Sequence, residues 1–229
     1  MSILDILFPK HCFVCKRLGK YICDICKDKL YVAKYDICIY CGKSSYLGLT
    51  HNGCIRKNGI DGFIFLYKYN NYLKRIIKTL KYRLVKDGFG EMMDLSRNPL
   101  STKLGLLLAT LNISPILSPI PLNKSKQNRR GFNQSVIISD YLSGHLRLNS
   151  KEYLVRSKNT KSQAQLGSRA LRYKNIRGAF ELKRGVLVKG ECILLVDDVV
   201  TSCSTVKEAC RILKRNGALK IFVFALAKG

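Results

Sequence analysis

Acidic residues are scarce in this chain: 15 Asp and Glu stand against 41 Lys and Arg over 229 residues, a formal charge of +26. That deficit sets the chain apart from the near-neutral balance of most soluble enzymes and points to a polyanionic partner. Long apolar runs are missing too, and no segment approaches the roughly 18 uninterrupted apolar residues that a membrane-spanning helix needs. The opening, MSILDILFPKHC, has an apolar run too short for a signal peptide, with Asp5 inside it and no basic region before it. No membrane insertion is expected and a cytoplasmic location is, where thiols stay reduced and clustered cysteines bind metal rather than pair as disulfides.

What is present is uneven. Residues 121–190 hold sixteen Lys and Arg against three Asp and Glu, about half of the whole excess, and a basic block of this size is expected to meet phosphate or nucleic acid. Cysteine is concentrated at the other end, with seven of ten before residue 60 as CFVC (12–15), CDIC (23–26), CIYC (38–41) and HNGC (51–54). A two-residue gap lets both side chains of a tight knuckle face one ion, and thiolate and imidazole suit tetrahedral zinc. Four pairs make two structural Zn²⁺ sites. Sequential pairing gives Cys12, Cys15, Cys23 and Cys26 for one and Cys38, Cys41, His51 and Cys54 for the other; a cross-braced pairing also fits the spacings, and the short links favour the first. So small a segment buries too little to fold unaided, so removing the metal is expected to unfold residues 1–57 alone. The chain divides in expectation into a zinc module, 1–58, and an α/β domain, 59–229.

Within 59–229, GFIFLYKYN (62–70) reads as a strand and YLKRIIKTLKYRL (72–84) as a helix with Leu73, Ile76, Ile77, Leu80 and Leu84 inward and its bases on a solvated face. SPILSPIPL (114–122) reads as an edge-like strand because of its prolines, and residues 132–146 as a helix. GVLVKGECILLVDD (185–198) reads as two β-rich runs split by Gly190, the second apolar enough to be covered on both faces of a parallel sheet. A closing helix has Thr205 and Glu208 as a capping box, Val206, Ala209, Cys210 and Leu213 on one face, and Gly217 as its stop. The strand KIFVFALA (220–227) follows. The fold class is α/β, a mostly parallel sheet flanked by helices. Cys192 and Cys210 read as small core residues.

The acidic pair Asp197 and Asp198 closes an apolar strand, where open α/β sheets bind ligands. The stretch VVTSCST (199–205) brings hydroxyls and backbone N–H groups to a helix start, an anion cradle. Carboxylates beside such a cradle repel phosphate alone but suit a sugar phosphate: the cradle holds the phosphate while the carboxylates accept from adjacent hydroxyls, with Mg²⁺ as a candidate bridge.

LLVDDVVTSCST resembles the phosphoribosyl pyrophosphate signature of type I phosphoribosyltransferases. Together with the cysteine knuckles, RRGFNQ (129–134) and TKSQAQLGSRALRYKNIRGAF (160–180), it resembles the ComF family over nearly the whole chain. The resemblance implies a type I phosphoribosyltransferase-like domain in which Asp197 and Asp198 hold ribose hydroxyls, and Val199, Val200, Thr201, Ser202, Cys203, Ser204 and Thr205 form the 5′-phosphate loop. It implies Lys124, Lys126, Arg129 and Arg130 on a mobile loop for pyrophosphate, with Asn133 and Gln134 in the motif. It also implies Thr160, Gln163, Arg172 and Asn175 facing nucleotide or DNA. Cys203 stands where the family has glycine, which puts close approach of backbone to phosphate in doubt.

Three functions follow. The first is a DNA-uptake protein binding single-stranded DNA and phosphoribosyl pyrophosphate or another ribose phosphate; the resemblance implies DNA-uptake partners, a helicase among them. In it Tyr67, Tyr69, Tyr72, Tyr82 and Phe132 are candidates to stack on bases. The second is an active phosphoribosyltransferase with Mg²⁺ on the pyrophosphate, so enzymatic activity stays open. The third is a zinc-based adaptor, which needs neither the acidic pair nor the loop.

Overall fold

The structure is a computed structural model and describes residues 9–82, 86–158 and 168–229. Four parallel strands form the central sheet in the order β1 (Gly62–Lys68), β6 (Lys220–Lys228), β5 (Cys192–Val200) and β2 (Ile116–Pro119). The period-two pattern of a strand sends alternate residues to opposite faces. Ile64, Leu66, Leu194, Val196, Phe222 and Phe224 pack on one side. There they meet the apolar stripe of α2 (Asn71–Tyr82), namely Leu73, Ile76, Ile77 and Leu80, with Phe89, Met92 and Met93 of α3 (Lys86–Leu95). Phe63, Phe65, Ile193, Leu195, Ile221 and Val223 face the other way, onto Val206, Ala209, Cys210 and Leu213 of α9 (Ser204–Arg215). The central strands are therefore covered on both faces, as their unbroken apolar sequence requires.

β2 is one of the sheet's two outermost strands, consistent with its prolines. With the short helices α1 (Asp24–Lys27), α4 (Arg97–Leu100) and α5 (Leu106–Leu111) before it, it leads through α6 (Lys124–Arg130) to α7 (Gln134–Leu146). A two-stranded antiparallel ribbon, β3 (Leu154–Arg156) with β4 (Phe180–Leu182), brackets α8 (Arg169–Ile176). The run GVLV at 185–188 is not a strand: Gly185 and Gly190 both take positive φ, 75° and 80°, turning the chain on either side of it, and Leu187 is left 82% exposed. Leu84 of the expected helix stripe lies outside the described residues.

The capping box at Thr205 and Glu208 is not formed. Cys203 takes the N-cap position in the left-handed conformation, φ 61° and ψ 2°, so the helix begins at Ser204, one residue before Thr205. Glu208, 1% exposed, instead accepts from the Gly178 amide at 2.6 Å and from Arg211 at 2.8 and 2.7 Å. It ties the end of α8 to α9.

The cysteine-rich module is packed into the same body. Its segment Tyr31–Ala33 lies along the edge of β1, with Ala33 N donating to Leu66 O at 2.8 Å and Lys68 N to Tyr31 O at 3.0 Å, so the strand edge is covered. Phe13 and Ile22 belong to one apolar cluster and Ile39 to the other. Ile22 N donates to Glu91 of α3 at 2.7 Å, and Asp36 pairs with Lys103 where both side chains are nearly buried. Gly48 shows how close the approach is: φ is 68°, and a Cβ there would lie 2.1 Å from the Phe63 carbonyl oxygen.

Candidate functional site

The ligand atoms of Cys12, Cys15, Cys23 and Cys26 lie within 4.8 Å of one another, as do those of Cys38, Cys41, His51 and Cys54. The chain thus builds the sequential pairing. Each first knuckle points backbone amides at its leading sulfur. Burial opposes ionising Cys12, but the amides of Cys23, Cys15 and Val14 outweigh it and bring the thiol down to about 6. Cys38 follows the same logic, with the amides of Cys41, His51 and Tyr40 overcoming burial to about 6. Burial and then the sulfurs of Cys15, Cys12 and Cys23 push Cys26 up to about 12, a crowding that a shared cation makes favourable. His51 Nε2 lies 3.0 Å from the Ser44 carbonyl oxygen, which leaves Nδ1, 3.4 Å from Cys41 Sγ, facing the cluster. Sulfur-rich four-ligand sets of this kind fit structural zinc.

The acidic pair lies just before the end of β5, which runs on to Val200. Successive strand residues point to opposite sides, so the two carboxylates have different partners. Asp197 Oδ1 accepts from Ser135 Oγ at 3.3 Å and from the Asp198 amide at 2.9 Å. Asp198 Oδ1 accepts from the Val199 amide at 2.8 Å, and its Oδ2 pairs with the ammonium of Lys81 in the last turn of α2. Burial, and then the neighbouring Asp198 carboxylate, push Asp197 up to about 7 against the pull of Lys81.

The chain then turns through Thr201–Cys203 into α9, enclosing a small concavity of about 70 Å³ lined by Asp197 and residues 199–206. The first helical bond is Lys207 N to Cys203 O at 3.0 Å, so the amides before it have no intrahelical acceptor and face outward with the positive end of the helix. Ser202 and Ser204 bring their hydroxyl oxygens within 3.1 Å of each other. The buried Cys203 lines this concavity at a positive φ that glycine adopts without strain.

A cleft of about 400 Å³ opens over the pair. Its cations come from four elements: Lys74 and Lys81 from α2, Lys126 and Arg130 from α6, Arg156 from β3 and Arg172 from α8. Burial and then repulsion from Arg156, Arg130, Arg129 and Lys81 bring Lys126 down to about 8. Such crowding of cations is relieved by a bound polyanion. Gln134, 2% exposed, lines the same cleft; its Oε1 accepts from Arg130 at 3.0 Å while its Nε2 has no hydrogen-bond partner among the described residues. A buried donor left over in a cationic cleft fits an acceptor-rich ligand.

Lys126 and Arg130 thus lie in the cleft with the acidic pair, Thr201 and Thr205, but on a helix capped by Asn123 rather than on a loop. Lys124 faces a separate hollow and Arg129 is exposed away from the cleft lining. Asn133 is buried and structural: it caps α7 through the Ser135 amide at 3.1 Å and donates to Ile120 O at 3.0 Å. Arg172 lines the cleft and Asn175, half-buried on the same helix, does not. Thr160 and Gln163 lie outside the described residues. Of the aromatic candidates, Tyr67 is buried and bonded to Ser96 at 3.0 Å and Phe132 is buried against Phe89, so neither can stack on a base. Tyr69 lines the cleft, Tyr72 is exposed, and the Tyr82 side chain lies outside the described part. The sequence reading missed Lys74, Lys81, Ser135 and Arg156. The two lysines stand seven residues apart, two turns of one helix face; Lys81 meets the Asp198 carboxylate, while Lys74 is an exposed part of the cleft lining.

Residues 3–55 match the double zinc ribbon domain family. Along its length the chain is similar to the DNA utilization protein YhgH of Escherichia coli O6:H1, 31% identical over 231 residues that cover 96% of this chain and 97% of that protein. It is 27% identical to competence protein F of Haemophilus influenzae, covering 90% and 96% of the two chains. It is 26% identical to competence protein ComFC of Bacillus subtilis, covering 90% and 84%. Among solved structures it is similar to the glutamine phosphoribosylpyrophosphate amidotransferase of B. subtilis complexed with ADP and GMP, at 18% identity and TM-score 0.34, over 49% of this chain and 22% of that one.

Proposed function

The chain belongs to the family of the DNA utilization protein YhgH and the competence proteins F and ComFC. From that membership and its mixed-charge cleft we propose that it handles DNA, binding a ribose phosphate at the acidic pair and single-stranded DNA on its basic surface. The observation that carries the first half is the meeting of Asp197 and Asp198 with the 199–205 turn and with Lys81, Lys126, Arg130 and Arg156 in one cleft. Carboxylates accept hydrogen bonds from ribose hydroxyls, the turn and the first amides of α9 receive the 5′-phosphate, and Lys126 and Arg130 receive a pyrophosphate. Phosphoribosyl pyrophosphate carries all three groups. Mg²⁺, when bound, neutralises the pyrophosphate charge, and Asp197 and Asp198 are the oxygens that would hold it. The zinc sites hold the fold. Charge supports the second half: a chain at +26 binds nucleic acid through phosphate contacts and counterion release.

A second reading, transfer of the ribosyl group, has one observation in its favour. Across the turn from the acidic pair lies another hollow of about 400 Å³, lined by Tyr40, Cys41, Arg172, Thr201 and Lys228, where an acceptor has room. In that reading the bond from C1 of the ribose to pyrophosphate breaks as a bond from C1 to the acceptor forms, and the protein acts by positioning and charge.

Calorimetric titration with phosphoribosyl pyrophosphate and Mg²⁺, and fluorescence titration with labelled single-stranded DNA across a salt series, test the two halves separately. Saturable binding of both is expected. No DNA binding at low salt removes the DNA half.

A further inference from the structure

Away from the acidic pair, the outer face of α9 and the end of the second zinc ribbon enclose a groove of about 320 Å³. Arg56 and Lys57 enter it just after the ligand Cys54, and Lys207, Arg211 and Arg215 enter from α9 at successive helical turns, a rise of about 6 Å each. Glu208 is the carboxylate of this lining, and both of its oxygens are taken up by Arg211 and the Gly178 amide. The groove therefore keeps a strong positive excess.

Tyr40 organises that charge. Its ring has the Arg56 guanidinium at 5.1 Å and the Lys207 ammonium at 4.7 Å from the centroid, and its hydroxyl accepts from Ile60 N at 2.7 Å, which fixes the ring. Cations from two distant parts of the chain are thus held in place before any ligand arrives. Tyr173, 48% exposed on α8, offers a ring at the side of the same groove. Fixed cations with an accessible aromatic ring suit phosphates joined to unpaired bases, since a duplex keeps its base faces stacked inside.

The groove also adjoins the sugar-phosphate site through shared lining residues. Tyr40 lines both it and the hollow beyond the turn, and Arg172 and Thr201 line both that hollow and the acidic cleft. We infer that this groove is where single-stranded DNA lies, with Arg56, Lys57, Lys207 and Arg215 on its phosphates and Tyr173 on a base. The inference rests on the DNA-binding half of the proposed function and locates it on α9 and the zinc ribbon, away from the basic helix α6.

The test measures fluorescence anisotropy of a labelled oligothymidylate with the full zinc-loaded protein across a salt series. Lys57→Ala with Arg215→Ala should weaken binding about tenfold or more and make the slope of log K against log salt shallower by about 1.4, two phosphate contacts at about 0.7 each. Tyr173→Ala should weaken it about tenfold at unchanged salt slope, the size of one lost base stack. Phosphoribosyl pyrophosphate affinity should stay unchanged in all of them, which excludes misfolding. Lys124→Ala with Arg129→Ala on α6 should leave DNA affinity within about twofold. Normal DNA binding by the groove variants, or loss only in the α6 variant, overturns the location but leaves DNA binding standing. Displacement of the DNA by polyglutamate of equal charge, with no effect of Tyr173→Ala, overturns the nucleic-acid assignment in favour of an acidic protein partner. A wild-type protein that binds no DNA overturns the underlying reading itself.

Discussion

The Lys81 ammonium, from the last turn of α2, rests against Oδ2 of Asp198 near the end of β5, with the two side chains only 20% and 10% exposed. One of two adjacent carboxylates is thus neutralised in the free protein, and that makes the pair tolerable at a strand end. Lys81→Met should leave Asp198 uncompensated and lower stability by about 1–3 kcal/mol, while adding Asp198→Asn should recover much of the loss. Thermal denaturation of the two single variants and the double variant gives the coupling. Simple additivity would mean that the pair contributes nothing.

Asp197 gives stability a pH dependence of definite sign. Its carboxyl is pushed up to about 7 in the folded chain, against about 3.9 when unfolded. The folded form therefore favours the proton, and the stabilisation that goes with it, complete below about pH 4, is lost as pH rises through about 7. Asp197→Asn removes that titration. The variant should match the parent near pH 4 and exceed it at pH 8 by about 1–2 kcal/mol, allowing for partial solvent contact, a rise of a few degrees in Tm. A difference that stays constant from pH 4 to 8 contradicts the assignment.

Cys203 holds the turn in the left-handed region and lines the concavity. Cys203→Gly should relieve about 1 kcal/mol of backbone strain and open the turn. Affinity for ribose 5-phosphate is expected to rise several-fold by calorimetry, whereas Cys203→Ala, which keeps the Cβ, should not reproduce the gain. Equal effects of both variants would assign the change to the sulfur.

Chelation tests how the zinc module is joined to the rest. Its isolated sequence suggests a unit that unfolds alone, but Phe13, Ile22 and Ile39 share the apolar clusters of the sheet, and residues 31–33 cover the edge of β1. Removing zinc should therefore lower the melting temperature of the whole chain in one broadened transition and bare that edge to aggregation. An unchanged main transition in calorimetry, with only the module lost, would show that these contacts carry little stability.

Much of this was legible in the sequence, and what was not has physical reasons. Apolar periodicity reports burial, so β1, β5, β6, α2 and α9 could be read directly, and ligand spacing reports a knuckle, so both metal sets could be read with their pairing left open. GVLV looked like a strand because composition cannot see that, among the described residues, no strand lies alongside it. Thr205 and Glu208 looked like a cap because spacing cannot see that Cys203 turns left-handed and starts the helix one residue before Thr205. Lys81 looked solvated because one sequence does not say which helix face meets β5, and Arg156 was hidden because it does not say that the end of β3 lies at the cleft. Tyr67 and Phe132 are the converse, rings near bases in sequence that the core absorbs.

The central claim is that the acidic pair serves a ribose phosphate while DNA lies elsewhere. The most direct measurement is parallel titration of the wild-type protein and the Asp197→Asn/Asp198→Asn double variant with phosphoribosyl pyrophosphate and Mg²⁺ by calorimetry, and with single-stranded DNA by fluorescence. The account predicts that the double variant loses phosphoribosyl pyrophosphate binding and keeps DNA affinity within about twofold, since neither carboxylate lines the groove proposed for DNA and removing them would take away only distant repulsion. Equal loss of both ligands would contradict it.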